Sequence, residues 1–187
     1  MSNQFDFASF PVLETERLRL RQIEIADAPQ VLEMFSHPEV MQYKSMSVVP
    51  ELEVAESWIR WIGKKYVEQN ALRWGITLKE VDKVIGSVGL RDWDRRVNSV
   101  EVGYDLAYVY WNQGMMTEAL AAALRFGFEQ MQVNRVQAMV VLGNEASLRV
   151  LEKLGFQHEG ICRDAWFDNE QYQDLHLLSL LRREFMA

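Results

Sequence analysis

Residues 16–21 read Glu-Arg-Leu-Arg-Leu-Arg, and this alternation of charged and apolar positions puts one face in water and the other against a core, which predicts a strand. Asp27 precedes Ala28-Pro29, an acidic cap with proline in the first turn, and Val31, Leu32 and Phe35 extend an apolar stripe, so a short helix is expected, ended by His37-Pro38. Between residues 50 and 67, Leu52, Ala55, Trp58 or Ile59, and Ile62 recur at helical spacing. Residues 74–78 and 84–90 form two apolar runs around a charged turn at 79–83, the pattern of an antiparallel hairpin. In residues 99–106, Val100, Val102, Tyr104 and Leu106 share one face and Glu101, Gly103 and Asp105 the other.

A helix follows, with Leu120, Leu124, Gly127 and Met131 along one side, and residues 135–142 form another apolar strand, so a β-α-β crossover is expected. In the next segment both helix ends are specified. Asn144 is a suitable N-cap, Leu148, Leu151 and Leu154 make the stripe, and Gly155 can take the left-handed C-cap with Phe156 folding back on Leu151. Residues 156–162 and 175–181 suggest a final antiparallel pair around a polar loop at 164–170. About seven strands result, without internal repeats or low-complexity tracts.

Composition narrows the class. A chain of 187 residues, 49% hydrophobic and 25% charged, suits one domain over residues 1–187 with its core at about 13–182, and no apolar run approaches the roughly 20 residues of a membrane-spanning helix. The start lacks the basic and apolar blocks of a secretory signal, and Cys162 is the only cysteine, so a cytoplasmic location without disulfides or a cysteine metal cage is expected. His37, His158 and His176 show no metal-ligand spacing, and no metal is expected. The net charge of −7 argues against gripping nucleic-acid phosphates and suits an amine-bearing partner, although acidity also serves solubility alone.

Candidate chemistry begins at Tyr110-Trp111-Asn112-Gln113-Gly114-Met115-Met116-Thr117-Glu118-Ala119. A glycine between a strand and a helix lets backbone N–H groups converge, and the helix N-terminus adds about half a positive charge, which makes an anion seat. A simple tight turn explains the glycine equally well. The glycine-rich run ending in Gly-Lys-Ser/Thr is absent, so this is no nucleoside-triphosphate loop.

Taken in order, Ser99-Val100-Glu101-Val102-Gly103-Tyr104-Asp105-Leu106, the turn just described, and Asn144-Glu145-Ala146-Ser147 through Leu154-Gly155-Phe156 resemble the GNAT acetyltransferases, and within them the RimJ/RimL branch of ribosomal-protein-alanine N-acetyltransferases. The likeness runs from Leu13 to Asp174. It implies an α/β (α+β) fold with a mixed, mostly antiparallel sheet and helices on both faces. It also implies acetyl-CoA as cosubstrate, with its pyrophosphate held by backbone amides in residues 111–116; this chain has Trp111 at the first position and Met116 where a small residue is usual. Cofactor contacts are thereby expected at Leu106, Ala107, Tyr108, Asn112, Gln113, Gly114, Met115, Met116, Thr117 and Asn144, with backbone N–H groups near residues 106–108 polarising the acetyl carbonyl. The strands holding Glu101 and Val140 would splay to admit the pantetheine arm.

By the same resemblance Ser147 would protonate the departing thiolate and Glu101 would be the base. An α-amine with pKa near 8 is roughly 10% free at pH 7 and a lysine only about 0.04%, so deprotonation is part of the task, and a half-buried carboxylate can serve it. Glu101 equally suits a strand glutamate paired with an arginine, and Glu118, the rival base, suits a first-turn position on the helix dipole. Arg149 and Lys153 could meet the cofactor's terminal phosphate or form a solvated helix face. Trp58, Trp61, Trp93, Phe35 and Tyr43 could line an acceptor pocket or fill core, and the loops at residues 37–50 and 163–170 are candidates for acceptor recognition. The acceptor expected is a primary amine, foremost a ribosomal-protein N-terminus; a small-molecule amine is the alternative, and a non-catalytic acyl-CoA-binding domain the second. Neither nucleic acid nor membrane is an expected partner, and residues 175–181 could pair across a homodimer.

Overall fold

In the computed structural model, residues 5–44, 51–168 and 170–185 are described. Eight strands make one sheet in the order β1-β2-β3-β4-β5-β6-β8-β7. The first is the two-residue β1 (Leu13–Glu14), which adds one strand to the seven expected and pairs antiparallel with β2 (Leu18–Gln22). In β2 the alternation holds: Leu18 and Leu20 are fully buried while Arg19 is exposed. Asp27 stands at the N-cap of α1 as expected, but its side chain makes no cap bond to the helix. Arg21 donates from Nη1 and Nη2 to its two carboxylate oxygens at 2.8 and 2.9 Å, and the Glu24 N–H is bonded to it as well, so its oxygens serve the turn before α1 (Ala28–Phe35).

α1 ends just before His37-Pro38, as expected, and after His37 the chain enters a second short helix, α2 (Pro38–Met41), because proline is favoured in a first turn. Helix α3 (Leu52–Val67) buries Ala55, Ile59 and Ile62 against α1, making a cluster with Ile23, Val31, Met34 and Phe35. β3 (Leu72–Leu78) and β4 (Val81–Asp94) form the expected hairpin, with a tighter turn than residues 79–83 and a longer second strand. β5 (Ser99–Leu106) pairs antiparallel with β4, and α4 (Met115–Glu129) crosses back to β6 (Arg135–Val141). α4 covers the sheet face opposite α1 and α3, packing Ala119, Leu120, Ala123, Leu124 and Phe128 in a core with Leu18, Leu20, Trp74 and Val100. At Gly127 a Cβ would come within 2.9 Å of Leu90 Cδ1, so glycine lets the helix sit close on the sheet.

Helix α5 (Glu145–Lys153) has both predicted caps: Ser147 N–H donates to Asn144 Oδ1 at 3.1 Å, and Gly155 at φ +85° lets Phe156 N–H reach the Leu151 carbonyl at 3.1 Å. β7 (Gln157–Asp168) runs on through most of the supposed loop, so residues 163–168 are strand, while 169 lies outside the described residues. β8 (Gln171–Leu181) lies between β6 and β7 and ends at the short α6 (Arg182–Phe185). Residues 175–181 therefore have strand partners on both sides, β6 and β7, and the sheet edge on this side is β7. The same register sets His158 Nε2 2.9 Å from His176 Nδ1, bringing together two histidines that stand apart in sequence. Among the described residues no helix is long and apolar enough to cross a membrane.

Among the described residues β5 and β6 are the one parallel pair, and their pairing covers only Ser99, Val100 and Glu101 against Arg135, Val136 and Gln137. Beyond Glu101 the strands diverge. Each then presents unpaired backbone toward the gap, and backbone groups withheld from water need partners.

Candidate active site

The gap is a cavity of about 650 Å³, walled by residues 102–106 of β5, 138–141 of β6, the turn before α4 and the first turns of α5. That volume falls in the usual range of ligand pockets. At one side, Asn112 and Gly114 take left-handed conformations, φ +58° and +75°. Gly114 is the N-cap of α4 and supplies no side-chain cap, so the first-turn amides at Met115, Met116 and Thr117 open on the cavity. Those N–H groups and the helix dipole suit an anionic diphosphate. Met116 turns its side chain into the core, leaving only 7% of the residue exposed. Arg149 and Lys153, one turn apart on α5, are exposed and also line the cavity.

Deeper in, Tyr104 and Ser147 meet. The Tyr104 hydroxyl lies 2.7 Å from Ser147 Oγ and also donates to the Ser147 carbonyl at 3.3 Å. Burial pushes the Tyr104 hydroxyl up to about 12, with the Ser147 bond acting in the other direction. Tyr104 therefore keeps its proton at neutral pH. The sequence placed it among the apolar residues of β5, and only its hydroxyl set it apart from them; no local signal put it against Ser147. Asn144 lines the cavity while its Oδ1 serves as cap, which leaves its side-chain N–H₂ free of that task.

Other expected site residues stand elsewhere. Glu101 is not on the cavity wall: it is the cross-strand partner of Arg91, whose Nη2 binds its carboxylate, and only Arg91 reaches the cavity. Ala107 is off the wall and its N–H already donates to the Ile85 carbonyl at 2.8 Å, so it has none to offer an acetyl oxygen. Tyr108 stacks on His37 with ring centroids 4.3 Å apart. Gln113 is also off the wall; its side chain donates to the Val109 carbonyl and its own carbonyl accepts from Arg17 Nη1. Leu106 lines the cavity, and its carbonyl accepts from Trp111 Nε1 at 2.8 Å.

Glu118 is likewise engaged. It accepts from the Thr15 hydroxyl at 2.6 Å, the Arg17 N–H at 2.8 Å and Arg17 Nε at 2.7 Å; burial would raise its carboxyl, but these bonds hold it below the usual range. Of the aromatic candidates for the acceptor pocket, only Tyr43 is on the wall, where its hydroxyl donates to the Gly143 carbonyl at 2.9 Å; Phe35 and Trp58 pack edge to face beneath. Residues 45–50 of the candidate acceptor loop lie outside the described residues.

Sequence reasoning missed Asp105, Arg73 and Lys44, which also line the cavity. Asp105 binds Arg73 Nη2 at 2.6 Å and Lys44 Nζ at 2.5 Å. Burial would raise its carboxyl, yet Lys44 and Arg73 keep it below the usual carboxylate range.

Comparison with known proteins agrees with this geometry. The acetyltransferase (GNAT) domain matches residues 17–157. The chain is 34% identical over 173 residues to YoaA of Bacillus subtilis (strain 168), named an uncharacterized N-acetyltransferase, covering 92% of this chain and 98% of that one. It is 27% identical over 174 residues to YdaF of the same organism, whose name offers ribosomal N-acetyltransfer as a candidate activity, covering 91% and 94%. An acetyltransferase (GNAT family) crystal structure from Bacillus anthracis superposes with a TM-score of 0.82 at 25% identity, over 93% of this chain and 100% of that one. A splayed strand pair with an amide-lined turn and a protonated hydroxyl pair, together with these matches, establishes that the chain belongs to the GNAT family as an acetyl-CoA-dependent N-acetyltransferase.

Proposed function

We propose that the acceptor is an α-amine, foremost a protein N-terminus, and that it attacks the acetyl-CoA thioester directly in a ternary complex. The observation that carries this reading is the state of the carboxylates. Glu101 is bound to Arg91, Glu118 to Thr15 and Arg17, and Asp105 to Arg73 and Lys44. A carboxylate held by cations is a poor base. Glu39 and Glu145, the other carboxylates on the wall, are solvent-exposed, so an acceptor that arrives largely deprotonated is favoured, and an α-amine exceeds a lysine by more than two orders of magnitude in free fraction. The name of the relative YdaF and the net charge of −7 support the same class.

The amide-lined turn at residues 112–117 would hold the diphosphate of acetyl-CoA, and Asn144 the pantetheine arm. As the amine nitrogen bonds to the acetyl carbon, the carbon–sulfur bond breaks and the sulfur takes a proton from Ser147 Oγ, which is replenished by the Tyr104 hydroxyl. The amine's own proton leaves to water, and water returns a proton to Tyr104. Nothing in this sequence needs a covalent enzyme intermediate, and Cys162 lies on β7, off the cavity wall.

The test is to incubate the protein with isotope-labelled acetyl-CoA and a ribosome-containing extract, then locate the label by mass spectrometry. Label on N-terminal α-amines supports the reading. Label confined to lysine side chains or polyamines overturns it.

A further inference from the structure

Beyond the Tyr104–Ser147 pair, the cavity wall carries a charge arrangement that acetyl transfer does not itself require. Arg73 leaves β3 and lies along the sheet, its guanidinium carbon 5.4 Å from the Trp58 ring centroid. It can lie there because Gly89 and Gly103, which face each other across β4 and β5, have no side chains. A Cβ on Gly89 would come within 2.9 Å of Arg73 Cγ, and one on Gly103 would stand 3.6 Å from Arg73 Nη1. Arg73 Nε donates to Ser87 Oγ at 3.1 Å and Nη2 to Asp105 at 2.6 Å, so the guanidinium is fixed on two sides. Among the described residues, Nη1 has no hydrogen-bond partner. It lies beside Gly103, and both residues line the cavity.

The local charge does not cancel. Arg73 and Lys44 share the single carboxylate of Asp105, their side chains only 17%, 24% and 6% exposed, which leaves one sheltered positive charge. Arg91 is matched by Glu101, and Glu39, the other acidic group on this part of the wall, is solvent-exposed and screened. A sheltered guanidinium with a free N–H edge suits a carboxylate, and one excess charge matches one carboxylate better than a phosphate dianion.

We infer that Arg73 is an acceptor-anchoring residue, and that the acceptor carries a carboxylate a few bonds from the amine that is acetylated. Gly103 and Asp105 face the opposite side of β5 from Tyr104, but the cavity between the splayed strands is lined from both faces, by Arg73 and Gly103 as well as by Tyr104 and Ser147, so the carboxylate and the reacting amine lie within one small molecule or one chain terminus. Two sources have this chemistry: a free amino acid, and a peptide with Asp or Glu beside its N-terminal residue. Polyamines lack it. Asp105 and Ser87 are positioning residues, which hold the guanidinium. This inference rests on the α-amine reading above.

The test compares acid with amide: alanine with alaninamide, and an Ala-Asp peptide with its Ala-Asn counterpart, each scored as kcat/KM for the deprotonated amine, so that the different amine pKa values do not enter. The wild type should prefer the acid in at least one pair by about tenfold or more, the usual worth of a charge-assisted hydrogen bond, and the pair that shows it identifies the source. Arg73→Met should bring that ratio to within about twofold of unity. Gly103→Ala, which covers Nη1 without removing charge, should shrink the preference too and does not depend on Arg73→Met folding. Calorimetric binding of N-acetylalanine against N-acetylalaninamide to the CoA-loaded protein reads the same anchor without turnover. Equal use of acid and amide in both pairs, or a preference that survives Arg73→Met, overturns the inference while leaving α-amine transfer in place. Arg73-dependent binding of N-acetylalanine with no turnover of any amine overturns the transfer reading and leaves the carboxylate anchor standing.

Discussion

Tyr104 and Ser147 are 43 residues apart in the chain and 2.7 Å apart in space, and their chemistry is set by what surrounds them. Burial keeps the Tyr104 proton in place to about pH 12, so the pair can donate across the whole physiological range. Replacing Tyr104 with Phe should lower kcat by about 10²-fold or more, the typical worth of a positioned acid, while acetyl-CoA affinity by calorimetry stays within about threefold. With the donor protonated throughout, kcat/KM should rise with the free-amine fraction to roughly pH 8 and then level, with no falling limb up to about pH 10. A profile that falls between pH 7 and 9 would point to a different acid. Glu101 provides the contrast. Its carboxylate holds Arg91 and is off the wall, so Glu101→Gln should change kcat by less than about threefold, whereas a true base would cost about 10²-fold or more.

The elements matter through their ends. β5 and β6 pair for three residues and then part, and the turn into α4 fills the opening with amides rather than side chains. Glu118 secures that turn from behind by binding Arg17 and Thr15, which fastens the start of α4 to the loop before β2. Its folded-state carboxyl is held below the unfolded value, so its contribution is present above the ordinary glutamate pKa of about 4.3 and is lost as pH falls through the lower folded value. Glu118→Gln should therefore cost about 1–3 kcal/mol at pH 7, and the difference in Tm from the wild type should shrink as pH falls below about 4. A difference that is constant from pH 7 to pH 3 would assign the loss to packing instead.

Across the whole molecule, the segment before β1 acts as a strap. Phe10 packs against Tyr66 and Trp74 with centroids 5.0 and 6.2 Å away, Trp74 Nε1 donates to the Pro11 carbonyl, and Tyr66 donates to the Phe7 carbonyl. Phe10→Ala should lower stability by about 2 kcal/mol and Tm by roughly 4–8 °C, with no change in acetyl-CoA affinity, because the strap lies away from the cavity. Much of this fold was legible in the chain because strand and helix periods are local. Leu18 and Leu20 bury as their alternation dictates, and Asn144 and Gly155 end α5 as their side-chain and backbone preferences dictate. The turn at Gly114 was legible for the same reason, since a helix start needs only its own residues. Tertiary structure alone decided who faces whom. Strand periods put Glu101 and Asp105 on one face but say nothing of the cross-strand register that gives the first to Arg91 and the second to Arg73 and Lys44. Nor could local pattern show that Tyr104 meets Ser147, because that contact depends on β5 and β6 separating after three paired residues, a long-range outcome of packing α4 and α5 on the sheet. The sequence thus determined the elements and the amide-lined turn, and the tertiary structure determined which ionisable groups are free to act, because charge pairing depends on distances that no local period encodes.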